Sequence, residues 1–174
     1  LPINFSLMTV FKSLFPILLF CGLCMNQAYA FDGSESTKTS KEAETFKTAI
    51  ENRQFVFQAQ TAHPMACRSV NLSYGFHLKV SPDNIEAYLP YYGRAYKAPL
   101  SYEESGVKFN SHDFDYQVKE GKDGRLDITI KPKDVTGKNY ILYLSAFPEG
   151  SCSLSVQDPD RQHIHFNGIL ELPE

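Results

Sequence analysis

The residues best suited to binding a ligand lie in the middle of the chain, in the segment 88–96. Four tyrosines surround one arginine there: Tyr88, Tyr91, Tyr92, Tyr96 and Arg94. Aromatic rings beside a guanidinium can stack on a sugar or a peptide, and the planar fork of an arginine can hold a carboxylate. A structural alternative stays open, in which Pro90 and Gly93 shape a turn that closes one end of a barrel and Arg94 pairs with a buried acid.

Two histidines near the end of the chain have a spacing that suits a metal ion. His163 and His165 are two residues apart and would project from one face of a strand. A metal site needs at least one more ligand, and His112, Asp113 or Asp115 could supply it only from a neighbouring strand. The alternative is an ordinary solvated strand face. We therefore predict no cofactor and keep the two histidines as weak metal candidates.

The same polar residues raise the question of catalysis. Asp113 and Asp115 would share a strand face and could act as paired acids, with a histidine nearby. The chain contains none of the G-x-S-x-G, H-E-x-x-H or P-loop motifs. The favoured interpretation is a non-catalytic binding or structural module. The alternative is a hydrolase acting on glycan or peptide through carboxylates or histidines on a sheet face.

The first thirty residues predict export from the cytoplasm. Lys12 precedes an apolar run at 14–23, and a small-x-small pattern ends at Ala30. This order is typical of a cleavable signal peptide, and the run is too short to span a membrane. Cys21 and Cys24 follow large residues, so a lipid anchor is disfavoured. The expected organisation is a signal peptide at 1–30, a flexible polar leader at 31–41 and a single domain at 42–174, located in the periplasm or secreted.

Charge and cysteine content narrow the possible partners. The formal net charge of −3 comes without a basic stripe, which argues against nucleic acid as a partner. An envelope component is expected instead, with a glycan or a peptide as the candidate ligand. Cys67 and Cys152 would remain after signal cleavage, and an oxidising compartment favours a disulfide between them if the fold allows it. Two inert buried thiols, or a reactive Cys67 near His63, are the alternatives.

The elements that must position these residues follow from hydrophobic periodicity. Thr39 and Glu42 have the spacing of a capping box, and a helical apolar face runs from Ala43 to Ile50, so a short helix is predicted to about Asn52. Apolar and polar residues then alternate in short runs joined by turns, which predicts eight or nine antiparallel strands. This pattern indicates a mainly β (α+β) fold, a meander forming an open barrel or a sandwich. The runs lie near 55–58, 76–80, 85–89, 107–109, 114–118, 126–130, 140–147, 152–156 and 164–166.

The segment at 88–96, Tyr88 followed by LPYYGRAY, resembles the hallmark of the domain-of-unknown-function family 4251, which is found in secreted proteins of Gram-negative bacteria. A Phe-Asn-Ser stretch at 109–111, an Asp-Phe-Asp-Tyr strand at 113–116 and an R-x-x-I-x-F-x-G block at 161–168 follow in the same order. The resemblance spans roughly 45–172. It implies a β-rich fold and an envelope location, and it implies no catalytic residues because the family has no established activity.

Overall fold

The computed structural model describes residues 34–96 and 106–173, with side chains described from residue 41 onward. In these residues the chain forms one α-helix, α1 (Ser34–Glu51), and ten strands. The predicted signal peptide lies outside the described residues. Within them, no helix is long and apolar enough to cross a membrane. The strands are β1 (Phe55–Pro64), β2 (Val70–Asn71), β3 (His77–Ser81), β4 (Asn84–Leu89), β5 (Val107–Ser111), β6 (Phe114–Glu120), β7 (Leu126–Pro132), β8 (Ile141–Ala146), β9 (Ser151–Gln157) and β10 (Ile164–Glu171).

The strands form one antiparallel sheet that curls into a nearly closed barrel. Their hydrogen-bonded order is β5-β4-β3-β1-β10-β9-β8-β7-β6, and β2 pairs with β1 beside this path. β5 and β6 stand at opposite ends of the order, yet only His112 and Asp113 separate them along the chain. The sheet must therefore curl until its two ends meet at that turn. The mainly β prediction is confirmed, and the open barrel describes the structure better than the sandwich.

The interior of the barrel is filled by the apolar residues that alternate along the strands. In β1 the side chains of Phe55, Phe57, Ala59 and Ala62 are buried, and the side chains between them are partly or fully exposed. Phe166 of β10 and Ile128 of β7 are equally buried. The described part of the interior is therefore a packed core. The candidate binding surfaces lie on the outside of the sheet.

The helix covers part of this core and begins earlier than predicted. It starts at Ser34, so Thr39 lies inside α1 and does not cap it. Ile50 is buried, and its carbonyl oxygen accepts a hydrogen bond from the Tyr116 hydroxyl at 2.7 Å. Arg53 ends the helix with a left-handed φ of 58° and places its guanidinium 5.2 Å from the centre of the Tyr116 ring. These contacts with Tyr116 thus hold α1 against β6, the strand at one end of the sheet order.

The ladder between β1 and β10 contains a bulge where the two backbones approach closely. The register shifts between Ala59 and Thr61, opposite Gly168 and Asn167. A Cβ at position 168 would overlap the carbonyl oxygen of Gln58. Only glycine fits there, because any side chain would push the two central strands apart.

The turn that joins β5 to β6 is held by one carboxylate. Asp134 accepts hydrogen bonds from the hydroxyl of Ser111 and from the backbone N–H groups of His112, at 2.8 Å, and Asp113, at 3.3 Å. The bond from Ser111 is the main cause that lowers the pKa of Asp134, and the backbone bonds act in the same direction. The ionised form of Asp134 is therefore the one that closes the barrel at this turn.

We expect Asp134→Asn to remove part of the acid sensitivity of folding. A carboxyl group whose pKa is lowered in the folded state stabilises the protein above its unfolded pKa of about 3.9, and this stabilisation is lost as the pH falls through the folded value. The variant should unfold at lower urea concentration at pH 7 and differ less from the wild type at pH 3. Asp123→Asn, an exposed substitution in a turn, is the control. Parallel pH profiles for Asp134→Asn and the wild type would contradict the assignment.

Candidate functional site

The tyrosine segment is hydrogen-bonded to the loop between β9 and β10. The Tyr91 hydroxyl donates a hydrogen bond toward the carbonyl oxygens of Arg94, at 2.9 Å, and Gln162, at 3.1 Å. Burial is the main cause that raises the pKa of Tyr91, so the phenol stays protonated and remains a donor. The guanidinium of Arg161 lies 5.1 Å from the centre of the Tyr91 ring. Tyr91 therefore joins two distant parts of the chain.

The buried arginine of this junction is Arg161. Its side chain is only 6% exposed, and its Nη1 donates to the carbonyl oxygen of Gly106 at 3.0 Å. Its Nε lies 3.6 Å from the carboxylate of Asp158, which is also buried. The Lys138 ammonium lies 3.6 Å from the same carboxylate oxygen. The structural alternative from the sequence assigned such a buried pair to Arg94, whereas the structure has it at Arg161.

Arg94 itself has an exposed side chain and contributes through its backbone. Its N–H donates to the side-chain oxygen of Gln162 at 3.3 Å, and its carbonyl oxygen accepts from the Gln162 N–H at 3.1 Å. Tyr96 is 69% exposed, and its N–H donates to the carbonyl oxygen of Asp160. Tyr92 is half-buried and packs against the core. This structural junction therefore includes Tyr91, Tyr92, Arg94 and Tyr96. None of the described cavities is lined by these four residues.

Tyr88 belongs to a different surface from the other tyrosines. It projects outward from β4, where its strand neighbours on the two sides are His77 and Lys108. The Phe76 ring stacks on it with centroids 5.7 Å apart, and the Lys108 ammonium lies 4.9 Å from its ring centre. Tyr88 still exposes 42% of its surface. Its ring is therefore held in place by Phe76 and Lys108.

Further exposed apolar groups continue this surface across the sheet. His77 is paired with Gln58 of β1, and Gln58 is paired with Ile169 of β10, which is 41% exposed. A crevice beside Gln58 and Ile169 is lined by Tyr74, which is 93% exposed. We call the outer surface of β4, β3, β1 and β10, with Tyr74 beside it, the tyrosine face.

A groove of about 650 Å³ lies on the tyrosine face, one row of residues further along the strands. Val56, Lys79 and Glu171 line it, and these residues are neighbours across β1, β3 and β10. Leu172 and Pro173 form its wall toward α1, where a second groove of about 520 Å³ begins. The tyrosine face therefore combines exposed aromatic rings with an open groove that has both polar and apolar walls.

The opposite half of the sheet has a different outer surface. Its outward residues on β8 and β9 are mainly serines, including Ser145, Ser153 and Ser155. Ser145 donates a hydrogen bond to Asp127 at 2.6 Å, and this bond is the main cause that lowers the pKa of Asp127. Tyr143 is 40% exposed there and stands beside these serines. Among the described cavities, the one lined by an exposed aromatic ring is the crevice beside Tyr74, on the tyrosine face.

The acids and histidines considered for metal binding or hydrolysis lie apart. His163 and His165 are exposed at β10, whereas Asp113 and Asp115 are exposed at β6, four places away in the strand order. Asp115 pairs with Lys133 at 2.6 Å. His112 contacts the carbonyl oxygen of Asp83 at 3.1 Å. Among the described residues, no group of three or more His, Cys, Asp or Glu side chains is placed to hold a metal ion.

One polar cluster could not be anticipated from spacing. Nδ1 of His63 lies 2.8 Å from the Ser69 hydroxyl, and its Nε2 lies 3.1 Å from the Asn167 amide. These bonds connect the loop after β1 to β10. No cavity described here opens at the three residues, so we regard the cluster as a support for that loop. Sequence reasoning missed it because the partners are brought together only by strand pairing.

Comparison with known proteins identifies a family and a similar fold, but no activity. The family model described as domain of unknown function DUF4251 matches residues 37–170. The chain belongs to the DUF4251 family. Among curated proteins, none matches it in sequence. Among solved structures it is similar to a DUF4251 family protein from Bacteroides eggerthii DSM 20697, with a TM-score of 0.57 and 10% identity, covering 78% of this chain and 91% of the other.

The two sequence blocks by which this chain resembles DUF4251 meet in the structure. Tyr91 of the LPYYGRAY segment contacts Arg161 of the second block, and a β-bridge joins Ala95 to Arg161. Phe166 of the second block is buried, and Gly168 permits the close approach of β10 to β1. Both blocks therefore have structural roles at one junction and one bulge. Tyr88, the first residue of the first block, is 42% exposed and does not share these roles.

Two of the four cysteines of this DUF4251 chain, Cys67 and Cys152, lie in the described residues, and they are not bonded to each other. Cys67 is exposed and free, and Cys152 is buried and free. Cys152 pairs with Gly168, which pairs with Ala59, whereas Cys67 lies beyond the end of β1 at Pro64. The stretch of β1 between these points is roughly 17 Å of extended chain, and a disulfide requires Cα atoms within about 7 Å. The expected disulfide is therefore incompatible with this geometry.

We expect the two thiols to react at very different rates. Burial raises the pKa of Cys152 to about 12, which leaves almost no thiolate at neutral pH. Iodoacetamide should therefore label Cys67 in the folded protein and reach Cys152 only after denaturation. Peptide mass spectrometry of samples labelled with and without guanidinium gives the site of each adduct. Comparable labelling of both residues in the folded protein would contradict the burial of Cys152.

Proposed function

We propose that this protein is a non-catalytic binding module of the cell envelope that holds an extended ligand on the tyrosine face. The observation that carries the proposal is the exposure of Tyr74, Tyr88 and Ile169 beside an open groove on one half of the sheet. Exposed apolar groups of this kind mark interaction surfaces more often than isolated ones do. Aromatic side chains also contribute much of the affinity at binding surfaces.

The rigidity of this surface supports the proposal. Phe76 and Lys108 already contact the ring of Tyr88, and Gln58 donates a hydrogen bond to Glu171 at 3.3 Å. All these residues except Phe76 lie on paired strands of the barrel. A ligand would therefore bind with little loss of side-chain entropy, which favours affinity.

The envelope location is supported by the order of features in the first thirty residues. A basic residue, the apolar run at 14–23 and the small-x-small pattern ending at Ala30 together resemble a signal peptide. Fractionation of source cells with an antibody against residues 42–174 should find the protein outside the cytoplasm. N-terminal sequencing of that material should begin at Phe31. Recovery of the uncleaved chain from the cytoplasm would refute the location.

Binding is tested by co-sedimentation of the purified protein with isolated cell envelopes of the source organism. The wild type should sediment with the envelopes, and Tyr74→Ala and Tyr88→Ala should each weaken binding about tenfold, or about 1.4 kcal/mol. Tyr143→Ala is the matched control, because Tyr143 is 40% exposed on the opposite half of the sheet. Equal retention of all four proteins would exclude the tyrosine face as the binding surface.

A further inference from the structure

We infer that the ligand of the tyrosine face is a neutral oligosaccharide. This inference rests on the proposed function and names the chemical class that the face would hold. Three observations support it: the charges of the face balance, its backbone groups are already used, and its side chains combine aromatic rings with planar polar groups.

The charges on the face cancel locally. The cations are Lys79 on the face and Lys108 at its edge, on the adjoining strand β5, and the carboxylates are Glu86 and Glu171. Lys79 stands directly opposite Glu86 across β3 and β4, and the carboxylate of Glu171 accepts the bond from Gln58. A polyanion or a strongly basic peptide would meet equal numbers of like and opposite charges and gain little attraction. A ligand without net charge fits this surface best.

The position of the face within the sheet disfavours an extended peptide. Peptides commonly bind β-proteins by adding a strand, which requires a row of free backbone N–H and C=O groups. β3, β1 and β10 each have paired neighbours on both sides, so their backbone groups bond within the sheet. Among the described strands, those with a free side are β5 and β6, at the ends of the order, and the two-residue β2, which pairs only with β1. A ligand on the face can therefore use only side chains.

The side chains of the face match the two kinds of surface that a sugar presents. Aromatic rings pack against the apolar C–H faces of a sugar, and Tyr74 leaves nearly its whole ring available. Nδ1 of His77 donates to the carbonyl oxygen of Gly75 at 3.0 Å, so its Nε2 remains directed toward the face near Glu86. Imidazole, amide and carboxylate groups can bond to the paired hydroxyl groups of a sugar.

The spacing of these groups indicates an oligosaccharide rather than a single sugar. Tyr88 on β4 and the crevice beside Gln58 on β1 are two strand spacings apart, or about 10 Å. The groove at Val56 and Lys79 extends the surface further along the strands. A linear chain of several sugars could contact both tyrosines and the groove together.

The test is isothermal titration of the full protein with three neutral linear hexasaccharides. These are the β-1,4-linked oligomers of glucose and of N-acetylglucosamine and the α-1,4-linked oligomer of glucose. A polygalacturonate oligomer and a library of extended peptides serve as charged and peptide probes. At least one neutral oligomer should bind the wild type and Tyr143→Ala with equal affinity, and it should bind Tyr74→Ala and Tyr88→Ala about tenfold more weakly. Circular dichroism of each variant confirms that it is folded.

The other outcomes separate this inference from the proposed function. Binding of the peptide library alone, lost in Tyr74→Ala and Tyr88→Ala, would overturn the oligosaccharide inference and leave the tyrosine face as a binding surface. Binding of polygalacturonate alone, lost in the same two alanine variants, would overturn the inference that the ligand is neutral and leave the tyrosine face as a binding surface. Sugar binding that both alanine variants retain would overturn the inference and place the binding site elsewhere. Failure of every probe, together with equal retention of all variants on cell envelopes, would remove both proposals.

Discussion

Gly168→Ala is expected to lower the free energy of unfolding by about 3 kcal/mol, among the largest effects of any single methyl group in this protein. The added Cβ would overlap the carbonyl oxygen of Gln58 and press against the ring of Phe57. Neither group can move freely, since Gln58 lies in the β1 ladder and Phe57 is fully buried. Guanidinium denaturation followed by circular dichroism measures the change.

Gly137→Ala separates this overlap from the general effect of replacing a glycine. Gly137 has a φ of 70°, and a Cβ there would contact nothing within 4 Å. Its substitution should cost only about 1 kcal/mol, because a left-handed backbone disfavours alanine. If both variants lost the same stability, the close approach at Gly168 would not be the cause of the effect.

Arg161→Met is expected to cost about 3 kcal/mol, since it removes a buried cation from a buried carboxylate. Asp158 would keep the Lys138 ammonium at 3.6 Å and the backbone N–H of Asp160 at 2.9 Å, and the carbonyl oxygen of Gly106 would lose the bond from Nη1. The methionine would fill much of the volume, so the loss reports the missing charge and hydrogen bond rather than a cavity. Urea denaturation at pH 7 measures the difference.

Two companion variants test whether the effect belongs to this ion pair. Arg94→Met removes an exposed guanidinium from the same junction and should change stability by less than about 0.5 kcal/mol. Asp158→Asn combined with Arg161→Met should be more stable than Arg161→Met alone, because the unpaired charge is gone. A larger loss for Arg94→Met than for Arg161→Met would mean that the sequence-based role of Arg94 had been right.

The strands were predictable because one face of each is buried. In β7, Leu126, Ile128 and Ile130 alternate with polar residues, so the period of two is visible without any tertiary information. β2 was missed because its two residues are too few to show a period. The start of α1 was also misplaced. Thr39 is a residue type that often caps a helix, yet α1 begins before it, at Ser34.

The candidate site was only partly predictable. Tyr88 was among the predicted ligand-binding residues, but the spacing of tyrosines grouped it with Tyr91, whose ring belongs to the junction. Tyr74, Phe76 and Ile169 were not recognised, since a single exposed aromatic or branched residue carries no sequence signal. Their common surface exists because β3, β1 and β10 are neighbours in the sheet although β1 and β10 lie at opposite ends of the chain.

The amino-acid sequence by itself determined the kind of elements this protein builds and the family to which it belongs, because periodicity and motifs are local properties of a chain. The sequence also pointed to the tyrosines, arginines and cysteines of interest, but it did not decide what each of them does. Tertiary structure alone decided that Arg161 rather than Arg94 is buried, that Cys67 and Cys152 stand apart, and that Tyr88 faces solvent. Those outcomes depend on which distant strands pair and in which register, and pairing is a property of the whole sheet.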